Sequence, residues 1–420
     1  MTWRPLLGLA LLASSGAQRA LPRPSRAGEP PSVLLVVLDD VGWPEWGSMP
    51  VLQDLAAQGV TFTRAYGAPM CCPGRYELLF GRWPRRDGLG GNALDAWDIA
   101  APRLPLELVS LPELFGATHR SGLVGKWHLG RAPSPAPDSL LGGPSWHGFQ
   151  AWTAGSVTAL SLGPGASGYR DWWRVEGETN ALETLYATNV QRDGFVAWWE
   201  GTAGPRFGVL AWSAAHDPWD RIPGYSQTAW LTLTDRQRYE LVVGYADAQL
   251  GAVLEHVDRS RTFVVVACDN GTPNAARPIG GEFGRWKFTT YEGALRVPLV
   301  VVGPGVETGT TDRLVMLNDV GATLAELCAL ELAGFEDSCS FADALGPWPG
   351  SPARAFAFAE RYGTIDDRAA IERDWKLRLV DGAPLFYRIT APGVEVPLVP
   401  SAAIQARLVA ELESLPPRAP

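Results

Sequence analysis

Residues able to do chemistry gather in a few short strings of this 420-residue chain. The first is Met70-Cys71-Cys72-Pro73-Gly74-Arg75, which sets a thiol just ahead of an expected helix N-terminus. Free backbone N–H groups and the helix dipole there favour an anion and lower a thiol's pKa. Taken alone, the string reads equally well as a turn capped by proline, with Cys71 and Cys72 as small buried residues. Two apolar runs shift that balance: Val33–Leu38 ends in Asp39-Asp40, and Phe263–Ala267 ends in Cys268-Asp269-Asn270. Such runs read as strands covered on both faces of a parallel sheet. Ligands of open α/β sheets gather beyond the carboxyl ends of those strands. Asp39, Asp40, Asp269 and the side-chain oxygen of Asn270 make a hard donor set suited to Ca²⁺ or Mg²⁺. Without an ion, three carboxylates would repel one another in a cleft.

Lysine occurs only at positions 126, 287 and 376, in a chain that otherwise prefers arginine. Lysine can give a proton to a leaving group and arginine cannot, so each retained lysine asks for a reason. Lys126 lies in Gly125-Lys126-Trp127-His128-Leu129-Gly130, and Lys287 in Arg285-Trp286-Lys287-Phe288. Lys126 and His128 stand two apart on chain expected to be extended, which turns them to one side. His216 opens His216-Asp217-Pro218-Trp219, just after the apolar run Phe207–Trp212. The chain has five histidines, so two of them in such strings argue against chance.

The cysteine string, continued by Tyr76-Glu77-Leu78-Leu79-Phe80-Gly81-Arg82, resembles the signature of the type I sulfatases, within the alkaline-phosphatase-like superfamily. Cys72, Gly74 and Phe80 stand where that family usually has Ser or Thr, Ser, and Thr. Gly125–Gly130 matches a second family motif letter for letter. The blocks around Asp39-Asp40, Asp269-Asn270 and Arg285–Val302 are similar in family order, and the resemblance spans roughly residues 31 to 412. Trp219 replaces a second histidine usual there, and the acidic segment that often follows Asp374-Trp375-Lys376-Leu377 is missing.

The resemblance implies that a formylglycine-generating enzyme oxidises Cys71 to formylglycine (3-oxoalanine), with Pro73 and Arg75 in the recognised core. It favours Ca²⁺ over Mg²⁺, held by Asp39, Asp40, Asp269, Asn270 and the modified residue 71. The aldehyde would hydrate, one hydroxyl attacking sulfur and the other later expelling sulfate. Lys126 and Lys287 would hold the sulfate oxygens, and Arg75 would orient the diol with His128 as its helper. His216 or Lys287 would protonate the leaving oxygen. An unmodified thiol has no second hydroxyl with which to eject sulfate.

The elements positioning these groups point to an α/β fold. A large, mostly parallel central sheet flanked by helices is expected over residues 31–345. A smaller C-terminal α+β domain with a short antiparallel sheet is expected over 346–420, with strands at 356–360, 375–380 and 385–389 and a helix over 402–412. Further helices are expected over 51–59, 178–200, 235–259 and 319–330, and a long surface excursion over the Pro-, Gly- and Ser-rich stretch 131–170. Residues 1–17 read as an export signal: Arg4, an apolar run from Leu6 to Ala13, then Ser15-Gly16-Ala17. Residues 18–30 read as a leader. No other run is apolar for long enough to span a bilayer, so no membrane anchor is expected and the product is secreted or periplasmic. A lysosomal destination is disfavoured, because the sole glycosylation sequon, Asn270-Gly271-Thr272, falls on an expected metal ligand.

A net charge of −9 provides no basic surface for nucleic acid. An acidic chain that handles an anion must therefore build its positive field locally. The substrate expected is a small aryl or carbohydrate sulfate. Two rival readings are a phosphonate or phosphate ester hydrolase on the same fold, and an unmodified protein that binds sulfated ligands without cleaving them. Cys328 and Cys339 are evenly balanced between a short disulfide loop and two free thiols.

Overall fold

The computed structural model describes residues 28–91, 104–130, 143–281, 284–363 and 365–419. The expected export signal and the leader up to residue 27 lie outside these described residues. Ten strands form the main sheet: β1 (Ser32–Leu38), β2 (Val60–Tyr66), β3 (Arg120–Lys126), β4 (Ala151–Ser156), β5 (Trp172–Glu176), β6 (Thr179–Glu183), β7 (Arg206–Ala211), β8 (Thr262–Cys268), β9 (Leu299–Val302) and β10 (Gly309–Met316). Their spatial order is β10-β2-β9-β8-β1-β7-β3-β4-β5-β6.

The central strands β8, β1, β7, β3 and β4 run parallel. β9 is antiparallel to both β8 and β2. It follows that β2 and its parallel partner β10 point the same way as the central block. Leu35 of β1 pairs with Val209 on one side and Val265 on the other, and Val33 to Leu38 are all at most 3% exposed. Helices cover both faces, so the strand is apolar without alternation.

A second sheet is antiparallel throughout, in chain order β11 (Ala357–Arg361), β12 (Asp367–Glu372), β13 (Trp375–Val380), β14 (Ala383–Ala391) and β15 (Val394–Pro397). The helix Ala402–Glu413 buries Leu408 and Leu412 with Phe358, Ile371 and Leu377 of this sheet. Tyr66, Leu314 and Met316 of the main sheet join the same apolar cluster. Lys376 is fully buried between the two sheets, 2.8 Å from Glu292 and 2.9 Å from Glu395.

Several expectations are corrected. The excursion over 131–170 carries β4, a strand of the main sheet, within its described part. The helix expected from residue 178 begins only at Ala187, because Thr179–Glu183 pairs with Trp172–Glu176 as a hairpin. β5, β10, β12 and β15 lie in stretches where no strand is expected; charged residues such as Arg174, Asp312, Arg368 and Glu395 interrupt them. Cys328 and Cys339 are free thiols. Among the described residues, no helix is long and apolar enough to cross a membrane.

Candidate active site

Parallel strands deliver side chains to one edge. Asp39 and Asp40 follow β1, Lys126 ends β3, His216 follows β7, and Asp269 and Asn270 follow β8. β2 leads into a helix spanning Cys71–Phe80, every residue of which is buried. Cys71 is its first residue, so its side chain arrives at the same edge.

Cys71 Sγ lies 3.4 Å from Asp39 Oδ1, 3.7 Å from Asp40 Oδ1 and 3.2 Å from Lys287 Nζ. Ligand atoms of Asp39, Asp40, Cys71 and His216 all fall within 4.8 Å of one another. Lys126 Nζ contacts Asp39 Oδ2 at 2.5 Å, and Lys287 Nζ contacts Asp40 Oδ1 at 2.6 Å. Arg75 donates to Asp269 Oδ2 at 2.8 Å and to the Lys126 carbonyl at 2.7 Å, and lies 3.4 Å from Asp39 Oδ2. Asn270 Nδ2 donates to Asp40 Oδ1 at 2.7 Å. Two buried oxygens of this cluster, Asp40 Oδ2 and Asn270 Oδ1, have no hydrogen-bond partner.

Electrostatics follow from crowding. Burial pushes the Cys71 thiol well above its usual pKa, and the Asp39 carboxylate adds to this; Lys126 and Lys287 only partly oppose it. Burial thereby outweighs the lowering of the thiol's pKa expected at a helix N-terminus. Burial would raise Asp39, but Lys126 and Arg75 outweigh it and hold the carboxyl well below the usual range. Asp269 is pushed up to about 6 by burial and by Asp39. Burial works against the Lys287 charge, yet Asp40, with Asp39 behind it, holds its pKa well above the usual value. His128 is driven well down by burial and by Lys126, and both of its ring nitrogens lack partners. Enclosure and the charge of Lys287 lower His216.

The strand-alternation argument for Lys126 and His128 fails in detail. β3 ends at Lys126, and His128 takes a left-handed φ of 56°. The turn still leaves His128 close enough for the Lys126 and Arg75 charges to act on it.

A sulfatase family model matches residues 31–329. The chain belongs to the sulfatase family. N-acetylgalactosamine-6-sulfatase of Sus scrofa is 31% identical over 73% of this chain and 63% of its own length. Arylsulfatase A of Bos taurus is 30% identical over 73% of this chain and 66% of its own length. The chain thus spans a little over three fifths of the first of these curated relatives. Among solved structures, Ps i-CgsB superposes with a TM-score of 0.74 at 22% identity, covering 92% of both chains. A structure described as a complex with its substrate D-glucosamine-2-N,6-O-disulfate gives 0.71 at 17%, covering 92% of this chain and 97% of the other. These structural likenesses speak to the fold.

The sulfatase-family site also recruits residues that sequence reasoning passed over. Tyr239 donates its hydroxyl to the Asp40 carbonyl at 2.7 Å, and Tyr169 donates to the His216 carbonyl at 2.9 Å. Glu45, fully buried, accepts from Thr272 and Arg236, both at 2.6 Å, tying the loop after β1 to the one after β8. Tyr239 sits on a helix whose periodicity marks it only as core. Spacing gave no signal for Glu45.

Proposed function

We propose that this sulfatase-family chain hydrolyses a sulfate ester to an alcohol and inorganic sulfate. The observation that carries this reading is the meeting of Cys71 with two carboxylates and the Lys287 ammonium within 4 Å. The donor set fits a hard cation. Three buried carboxylates converge, and Asp40 Oδ2 and Asn270 Oδ1 are buried without partners. We assign Asp39, Asp40, Asp269, Asn270 and the oxidised residue 71 as its holders, with Ca²⁺ favoured and Mg²⁺ the alternative. Bound there, the cation supplies charge neutralisation and eases deprotonation of a nearby hydroxyl. Formylglycine at position 71, installed by a formylglycine-generating enzyme, supplies a hydrated aldehyde in place of the thiol.

The chain's own side chains do the remaining work. Lys126 and Lys287, buried and charged, bind sulfate oxygens and stabilise the negative charge that builds on them. Arg75 holds Asp269 and the end of β3 in place, and with them residue 71. His128, held uncharged by burial and by Lys126, is assigned as the proton acceptor that serves residue 71. His216 or Lys287 delivers the proton to the departing oxygen. Burial of Asp39, Asp40 and Asp269 excludes water, which strengthens every one of these interactions.

One named relative is an N-acetylgalactosamine-6-sulfatase and one structural neighbour is seen with D-glucosamine-2-N,6-O-disulfate, so a carbohydrate sulfate is the substrate class we favour, with aryl sulfates as laboratory surrogates. The test is turnover of 4-nitrophenyl sulfate against the corresponding phenyl phosphonate, using protein co-produced with a formylglycine-generating enzyme. Sulfate hydrolysis by the parent protein and its loss in Cys71→Ala are expected. Full turnover in Cys71→Ala, or preference for the phosphonate, would refute the reading.

A further inference from the structure

Close to Lys287 stand two groups that sulfate cleavage does not require. Phe288, next to Lys287, is 41% exposed and holds a φ of 74°. A bulky residue in that region is an outlier that persists only where its surroundings impose it. Here they do so from two sides. Its N–H donates to the Pro69 carbonyl at 2.9 Å, and its carbonyl accepts from Arg361 at 2.7 Å. The ring centroid is 5.3 Å from Lys287 Nζ, which itself is 3.2 Å from Cys71 Sγ. The guanidinium carbon of Arg361 lies 5.7 Å from the same centroid.

Arg361 ends β11, so the second sheet contributes it. Nearby arginines are paired: Arg368 and Arg418 with Asp366, and Arg85 with Glu360. Arg361 has no carboxylate partner among the described residues and spends one N–H on the Phe288 carbonyl. Its other donors are available. In a chain of net charge −9, a part-exposed cation with no counter-ion among the described residues, sharing the Phe288 ring with a buried lysine, is conspicuous.

We propose that Phe288 and Arg361 form a subsite for a second anionic group on the substrate. The apolar face of a sugar ring rests on Phe288, and Arg361 binds a carboxylate or sulfate carried by that sugar or its neighbour. Guanidinium suits either anion, because its paired N–H groups match two oxygens at once. This inference rests on the sulfatase reading for which ester enters the cleft, but its test is binding, so the two can fail separately.

The experiment is titration calorimetry on full-length Cys71→Ala protein in calcium buffer, where ligands are not consumed. Three probes are compared: a monosulfated N-acetylhexosamine, the same sugar linked to a uronic acid, and the same sugar with a second sulfate. A second anion is expected to tighten binding about ten- to a hundred-fold, the range of one charge-assisted hydrogen-bond pair. Whichever of the two anions gives the larger gain identifies the natural source. Adding Arg361→Ala should erase that gain, Arg361→Lys should keep part of it, and Arg361→Glu should invert it. Phe288→Gly, which relieves the backbone strain, should weaken all three sugars together. Equal affinity for the three probes, or a gain that survives Arg361→Ala, overturns the subsite. If parent protein carrying formylglycine cleaves no sulfate ester, the catalytic reading falls while these binding ratios still judge the subsite.

Discussion

Lys287 Nζ stands 3.2 Å from Cys71 Sγ and reaches it from a loop 216 residues farther along the chain. The same ammonium is 2.6 Å from Asp40, so it touches both the proposed nucleophile position and the carboxylate cluster. That makes it able to serve the sulfate group and the departing oxygen alike.

Leaving-group dependence separates those duties. A side chain that only binds sulfate should, when removed, slow all esters by a similar factor. A proton donor matters most where the alcohol is a poor leaving group. We expect Lys287→Ala and His216→Ala each to lower kcat about 10²–10⁴-fold on sugar sulfates. Whichever donates the proton should show a much smaller loss with 4-nitrophenyl sulfate. Equal losses on both esters for both variants would remove proton donation from this pair.

Calcium should stabilise as well as activate. Asp39, Asp40 and Asp269 are buried together, and a ligand that binds only the folded state raises stability by mass action. Chelation is expected to lower the melting temperature and abolish turnover, with both restored by Ca²⁺. Asn270→Ala should demand more Ca²⁺ for half-maximal recovery of each. Chelation without any thermal shift would argue against the proposed ligand set.

The Lys126–Asp39 pair is wholly buried. Replacing Lys126 with Met leaves Asp39 with Arg75, at 3.4 Å, as its remaining ion-pair partner among the described residues. Breaking a buried pair on one side costs about 3–5 kcal/mol, which denaturant unfolding would read directly. An unchanged midpoint would mean that water reaches Asp39.

Acid should loosen the junction between the two sheets. Burial would raise Glu292, but Lys376 and Arg296 outweigh it and hold its carboxyl below the usual value of 4.5. Its stabilising contribution is therefore complete above that value and is lost as pH falls through the lower folded one. The parent protein's melting temperature should drop more steeply below about pH 4.5 than that of Glu292→Gln. Parallel curves would show that the carboxylate is not linked to folding.

The parallel core and its acidic strand ends were readable because burial on both faces writes itself as unbroken apolar runs, as in Val33–Leu38 and Phe263–Ala267. β15 was not, since it lies at the sheet's edge with Val394 and Val396 exposed, and β12 was not, since its buried apolar residues are mostly small alanines (Ala369, Ala370). The site residues announced themselves through rare types, Lys126 and Lys287 above all. Glu45 did not, because its role rests on partners 191 and 227 positions away. Gly74 is explained only in three dimensions. A Cβ there would meet the Asp269 carbonyl oxygen at 2.1 Å, so the helix packs closer to β8 than a side chain allows. Phe80 likewise finds its reason in Tyr76, stacked at 5.1 Å, and in the edge of His147.

All three lysines are at most 3% exposed. Amine-directed labels, cross-linkers and coupling resins would thus find no ε-amino handle on the native surface, leaving arginine and carboxyl chemistry to report on it. Uptake of such a label would itself be a sensitive alarm for unfolding, because only an opened molecule can present Lys126, Lys287 or Lys376.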